Sequence, residues 1–261
     1  MKIPMWQVDA FATEVFAGNP AAVCVLDDWL ADGVLQAIAA ENNLSETAFL
    51  VEHGEGFDLR WFAPAKEVAL CGHATLAAAK VLFDLRGWSA PEIRFLTRQR
   101  GTLTVAKRGE WFEMDFPALP ARPVATPAGL AAALGAEPRQ VLESTDDWLV
   151  LLDDEAAVRN LKPDLAALKK FHCRCVVPMA RGDAVDFVSR AFAPRYGIPE
   201  DPVTGSAHCA LAPYWAGVLG QDDLRAFQVS ARGGEVRCRV AGDRVMLAGQ
   251  AVVYLAGTID V

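Results

Sequence analysis

Cys71-Gly72-His73-Ala74-Thr75 is the stretch from which the rest of the chain is best read. Ahead of it lies a proline-containing segment, Phe62-Ala63-Pro64-Ala65-Lys66-Glu67-Val68-Ala69-Leu70. Behind it, Leu76 to Leu82 is rich in alanine and leucine. These residues favour helix, and no breaker interrupts them. Gly72 and His73 are therefore expected at a helix N-terminus, where backbone N–H groups without intrahelical partners attract anions. Taken alone, the stretch reads as a turn glycine before a core helix.

A second copy changes that reading. Arg60-Trp61-Phe62-Ala63-Pro64 matches Arg190-Ala191-Phe192-Ala193-Pro194 at an offset of 130 residues. Gly72 matches Gly205 at an offset of 133, and Arg100-Gly101 matches Arg232-Gly233 at 132. Three matches in order at nearly constant spacing imply two copies of one α/β half, where a solenoid would need many. The copy of the opening stretch is Glu200-Asp201-Pro202-Val203-Thr204-Gly205-Ser206-Ala207-His208, again a glycine ahead of a helical run. With a pseudo-twofold relation, two helix N-termini are expected to face one cleft, suited to a carboxylate or an enolate-like oxyanion.

Composition narrows the class. The chain has 261 residues, 52% of them hydrophobic, enough for a sizeable core and against disorder. A formal charge of −8 argues against nucleic acid or an anionic membrane as the main partner, but not against a locally positive site for a small anion. The N-terminus shows no secretory pattern, and no apolar run is long enough to span a bilayer. Six cysteines in a chain of this length do not make a disulfide framework. The expectation is a reduced, cytoplasmic protein.

Along the chain, residues 6–26 read as a hairpin around the turn Gly18-Asn19-Pro20, and Leu30 to Ala40 as an amphipathic helix. A polar loop, Asn42 to Glu46, feeds the strand Thr47 to Glu52, so Glu46 is placed at a loop–strand junction. Three strands between Ile93 and Phe116 read as a meander. Residues 117–127 hold four prolines and read as a linker, setting halves at 1–118 and 119–261, with the last strand able to cross to the first half. His172 to Val177 reads as a strand, and Ser206 to Leu219 as a helix that Pro213 can kink. The group His172, Cys173 and Cys175 invites a metal reading, but no second Cys/His pair has ligand spacing, so no metal is expected.

Several motifs together resemble the phenazine-biosynthesis PhzF-like family: Val8-Asp9-Ala10-Phe11 with Phe16 to Val23, Asn43-Leu44-Ser45-Glu46-Thr47-Ala48-Phe49, Cys71 to Thr75, Met114-Asp115-Phe116-Pro117, and Asp201 to His208. The resemblance covers essentially the whole chain. It implies a diaminopimelate epimerase-like α/β (α+β) fold, with two pseudo-symmetric halves of mostly antiparallel sheet, each wrapped on a central helix. It implies a cofactor-free isomerase or epimerase, homodimeric, acting on a small anionic substrate. Glu46 matches the glutamate that moves a proton between carbons of a cyclohexadiene acid in the family's best-understood members. His73 and Asp201 match further active-site positions. Gly72, Gly205 and Ser206 match substrate-holding groups, and Asn19 a cleft asparagine at the hairpin turn.

One departure matters. Two-base amino-acid epimerases of this fold carry a cysteine before each of the two glycines, whereas this chain has Cys71 before Gly72 and Thr204 before Gly205. A threonine hydroxyl is too weak an acid to replace a thiol. Two options remain: Glu46 does the chemistry beside a small buried Cys71, or Cys71 is a single base, as in dehydratase relatives of proline racemase. A binding protein that keeps the fold without turnover is the reading from another class.

Overall fold

The computed structural model describes residues 1–145 and 147–261. It resolves into two compact units, Met1–Asp115 with Ala248–Val261, and Phe116–Leu247. The first unit contains strands β1 (Lys2–Ala10), β2 (Asn19–Leu26), β3 (Glu46–His53), β4 (Gly56–Ala63), β5 (Lys66–Val68), β6 (Glu92–Thr97), β7 (Gly101–Arg108) and β8 (Trp111–Pro117), with helices α1 (Asp32–Asn42) and α2 (Gly72–Asp84). The second contains β9 (Arg122–Val124), β10 (Gln140–Ser144), β11 (Asp147–Leu151), β12 (Cys175–Arg181), β13 (Phe187–Ser189), β14 (Asp223–Gln228) and β15 (Gly234–Ala241). Its helices are α3 (Leu130–Leu134), α4 (Glu155–Arg159), α5 (Leu165–Leu168) and α6 (Gly205–Leu219). Strand β16 (Arg244–Gly249) leads to β17 (Ala251–Asp260), which returns to the first unit and pairs antiparallel with β1.

The two units repeat one topology. In the first, β1–β2 is antiparallel, β2–β3 parallel across α1, β3–β4 antiparallel, β4–β6 parallel across α2, and β6–β7 antiparallel. In the second, β10–β11, β11–β12, β12–β13, β13–β14 and β14–β15 run through the same series of directions. Gly101 and Gly233, matched in the sequence, both have φ of 67°, a left-handed conformation that glycine takes without Cβ strain.

Helices α2 and α6 are apolar over most of their surface because they are largely enclosed. In α2, His73 to Ala79 and Val81 to Phe83 are all buried. Full burial of each Leu, Val or Phe contributes roughly 1.5–3 kcal/mol. Helix α6 runs through Pro213. Proline has no N–H for the carbonyl of Cys209, and the Leu119 N–H donates to that carbonyl at 2.9 Å instead.

The matched Arg-x-Phe motifs form one device in each unit. Arg60 grips Glu67 with two hydrogen bonds of 2.8 Å and lies 4.9 Å from the Phe62 ring centre. Arg190 grips Glu200 at 2.7 and 2.9 Å and lies 4.8 Å from the Phe192 ring centre. Such bidentate, stacked pairs suit arginine's planar fork.

Two local expectations are corrected. The proline-rich segment contains the short strand β9, which pairs with β10. Proline is compatible with a short pairing of this kind wherever its missing N–H is not needed. His172, Cys173 and Arg174 precede β12 in a bend, so the strand alternation expected for Cys173 and Cys175 does not hold. Among the described residues, no helix is long and apolar enough to cross a membrane.

Candidate active site

Asn19 and Glu46 are the first residues of the parallel strands β2 and β3. Their backbones begin side by side, with Glu46 in register with Ala21. The loop ahead of Asn19 is set by Asp9, a buried carboxylate that accepts from the Phe16 N–H at 2.9 Å. Gly18 closes the loop with φ of 64°, where a Cβ would lie 2.1 Å from the Ala10 carbonyl oxygen. No other residue fits that turn. Helix α2 begins at Gly72, with Cys71 as an extended cap residue, and presents His73.

These residues converge. His73 Nε2 lies 3.2 Å from Glu46 Oε2, and Asn19 Nδ2 lies 3.3 Å from His73 Nδ1. Ser45 Oγ donates to Asn19 Oδ1 at 3.3 Å. An amide Nδ2 donates only, so His73 Nδ1 accepts and its Nε2–H donates to the Glu46 carboxylate. The result is a chain of donors, Ser45 to Asn19 to His73 to Glu46. Burial pushes His73 down to about 3, so the ring is neutral at physiological pH. Cys71 Sγ lies 3.5 Å from His73 Nδ1. Glu46, Cys71 and His73 offer one oxygen, one sulfur and one nitrogen within 4.8 Å of one another, and among the described residues no other such group can hold a metal ion.

In the second unit, Asp201, Gly205 and Ser206 come together at the start of α6. Thr204, the extended cap residue, donates its hydroxyl to Asp201 Oδ2 at 2.6 Å. The fully buried Gln228 accepts from the Thr204 N–H at 2.8 Å and donates to the Asp201 carbonyl at 2.6 Å. Ser206 Oγ accepts from Arg174 Nη1 at 2.9 Å, and Arg174 Nη2 pairs with the buried Asp147. Burial works against the Arg174 charge, but Asp147, Cys175 and Asp201 outweigh it and hold the guanidinium above its ordinary value.

His208 faces inward. Its Nδ1–H donates to the Thr204 carbonyl at 2.8 Å, one turn back, as Thr75 Oγ1 does to the Cys71 carbonyl at 2.6 Å in α2. Burial pushes His208 down to about 4, against the opposing pull of that carbonyl.

A sequence profile described as phenazine biosynthesis-like protein (PhzC-PhzF) matches residues 8–257. The chain belongs to the phenazine biosynthesis-like family. A Pseudomonas aeruginosa member described as an uncharacterized isomerase is 53% identical over 259 residues, covering 99% of both chains. The crystal structure of a PhzF-family phenazine biosynthesis protein from Enterococcus faecalis superposes with a TM-score of 0.98 at 45% identity, covering 100% of each chain. A hydroxyproline epimerase from Agrobacterium vitis is 11% identical with a TM-score of 0.64, over 99% of this chain and 92% of that one, a likeness of fold alone. The fold of this PhzF-like chain is thus the diaminopimelate epimerase-like one.

Arg174, Asp147 and Gln228 carried no signal in the sequence of this PhzF-like chain. Each lies far along the chain from the helix start that it serves. Only the pairing of β11 with β12, and the placement of β14, bring them to Ser206 and Thr204.

Proposed function

We propose that this chain is a cofactor-independent isomerase in which Glu46 takes a proton from one carbon of a small carboxylated substrate and returns it to another. The observation that carries the reading is the donor chain ending on the Glu46 carboxylate through His73 Nε2. A carboxylate held by a neutral donor stays ionised and oriented, as a general base that takes a proton from carbon requires. The charge left on the substrate moves toward its carboxylate, and the N–H groups at a helix start are suited to receive it. Gly72, Gly205 and Ser206 are read as substrate-holding, Asp201 as the second unit's acid/base group. That the relatives are described as isomerases supports the reaction class. A homodimer in the cytoplasm, with no nucleic acid or membrane partner, belongs to the same proposal.

The test is solvent-deuterium incorporation into a panel of cyclic amino and hydroxy carboxylates. Glu46→Gln should lower incorporation by about 10²–10⁴-fold while the fold is kept. Undiminished incorporation overturns the reading. The 3.5 Å approach of Cys71 Sγ to His73 Nδ1 favours a second reading, a cysteine-based dehydratase or epimerase. Rapid inactivation by iodoacetamide, prevented by a proline-like ligand, supports that one.

A further inference from the structure

Arg174 stands between a buried anion and a hydroxyl at the start of α6. Its inner end meets Asp147, whose side chain is 5% exposed, while its own side chain is 36% exposed. Its other arm donates to Ser206 Oγ at 2.9 Å. A guanidinium only donates, so Ser206 Oγ is the acceptor in that contact and its own O–H points elsewhere. A buried ion pair is a weak source of stability, because desolvation offsets most of the attraction. Asp147 is therefore poorly explained as a stabilising residue and well explained as an anchor that fixes one orientation of Arg174.

We propose that Arg174, anchored by Asp147, is a positioning residue that aims the Ser206 hydroxyl at a carboxylate of the substrate beside the first turn of α6. This rests on the reading of Ser206 as a substrate-holding group and adds the pair that orients it. The cation also places a fixed positive charge on the side where that carboxylate binds, selecting an acid over its neutral amide. Lysine does not reproduce the arrangement, since a single ammonium lacks the fork that spans Asp147 and Ser206 at once.

The test is a calorimetric titration of the full-length protein with anthranilate and with 2-aminobenzamide, the same ring without the charge. The wild type should prefer anthranilate. Arg174→Lys and Ser206→Ala should each weaken anthranilate binding by about tenfold, leave the amide unchanged, and lose no more in combination than singly. If Arg174→Lys does not fold, the double change Asp147→Asn with Arg174→Met removes both charges and should weaken anthranilate binding by at least as much, again with the amide unchanged. A merely structural arginine would lower the melting temperature without moving the acid-over-amide preference. Wild-type binding without preference for anthranilate, an Arg174→Lys variant that binds like the wild type, or losses that multiply in the double variant would overturn the proposal. Glu46→Gln should still bind anthranilate. Failure of the deuterium experiment with this titration intact therefore removes the proton-shuttle reading and leaves the Arg174 assignment standing.

Discussion

Glu67 lies four residues ahead of Cys71 and Glu200 four ahead of Thr204, and each is gripped by an arginine stacked on a phenylalanine. One turn into each helix, Thr75 or His208 returns a hydrogen bond to the cap carbonyl. The two helix starts therefore share their bracing. They differ in what they carry. The first gathers a carboxylate, a thiol and a neutral imidazole, while the second gathers a hydroxyl, an acid and an anchored guanidinium. Duplication preserved the frame, and the presented side chains diverged.

If the bracing is equivalent, breaking it should cost the same in both units. Arg60→Met and Arg190→Met each leave a partly buried glutamate without its fork, and each is expected to destabilise by about 3 kcal/mol in urea denaturation. A loss in one variant with none in the other would break the comparison at its foundation.

The histidines give a smaller effect. His73 and His208 are held below the ordinary imidazole value by burial, at about 3 and about 4. Between those values and about 6.5 the unfolded chain binds protons that the native chain does not, so stability falls as pH is lowered through this window and is fully present above it. The loss is about 2 kcal/mol per histidine between pH 6.5 and 5. His208→Gln should remove its share of the slope. Denaturation midpoints that do not change between pH 7 and 5 would contradict the neutral, buried state of both rings.

Much of the frame was legible in the sequence because it is built locally. Matched Arg-x-Phe motifs, glycines at helix starts and turn glycines at Gly101 and Gly233 each carry their own steric signature. The groups clustered around Glu46 were legible only through family motifs, since Asn19, Glu46 and His73 meet by strand register. Arg174 was not legible, because its role depends on Asp147, which reaches it through a parallel strand pairing. Cys173 misled for a related reason: strand alternation assumes a strand, and β12 begins only at Cys175.

Which group of the first start moves the proton, the Glu46 carboxylate or the Cys71 thiol, is tested most directly by deuterium incorporation measured side by side in Glu46→Gln and Cys71→Ser. The account predicts loss of incorporation by about 10²–10⁴-fold in the first and a change within about tenfold in the second. Incorporation that survives Glu46→Gln and disappears with Cys71→Ser would contradict it and move the proton chemistry to the thiol.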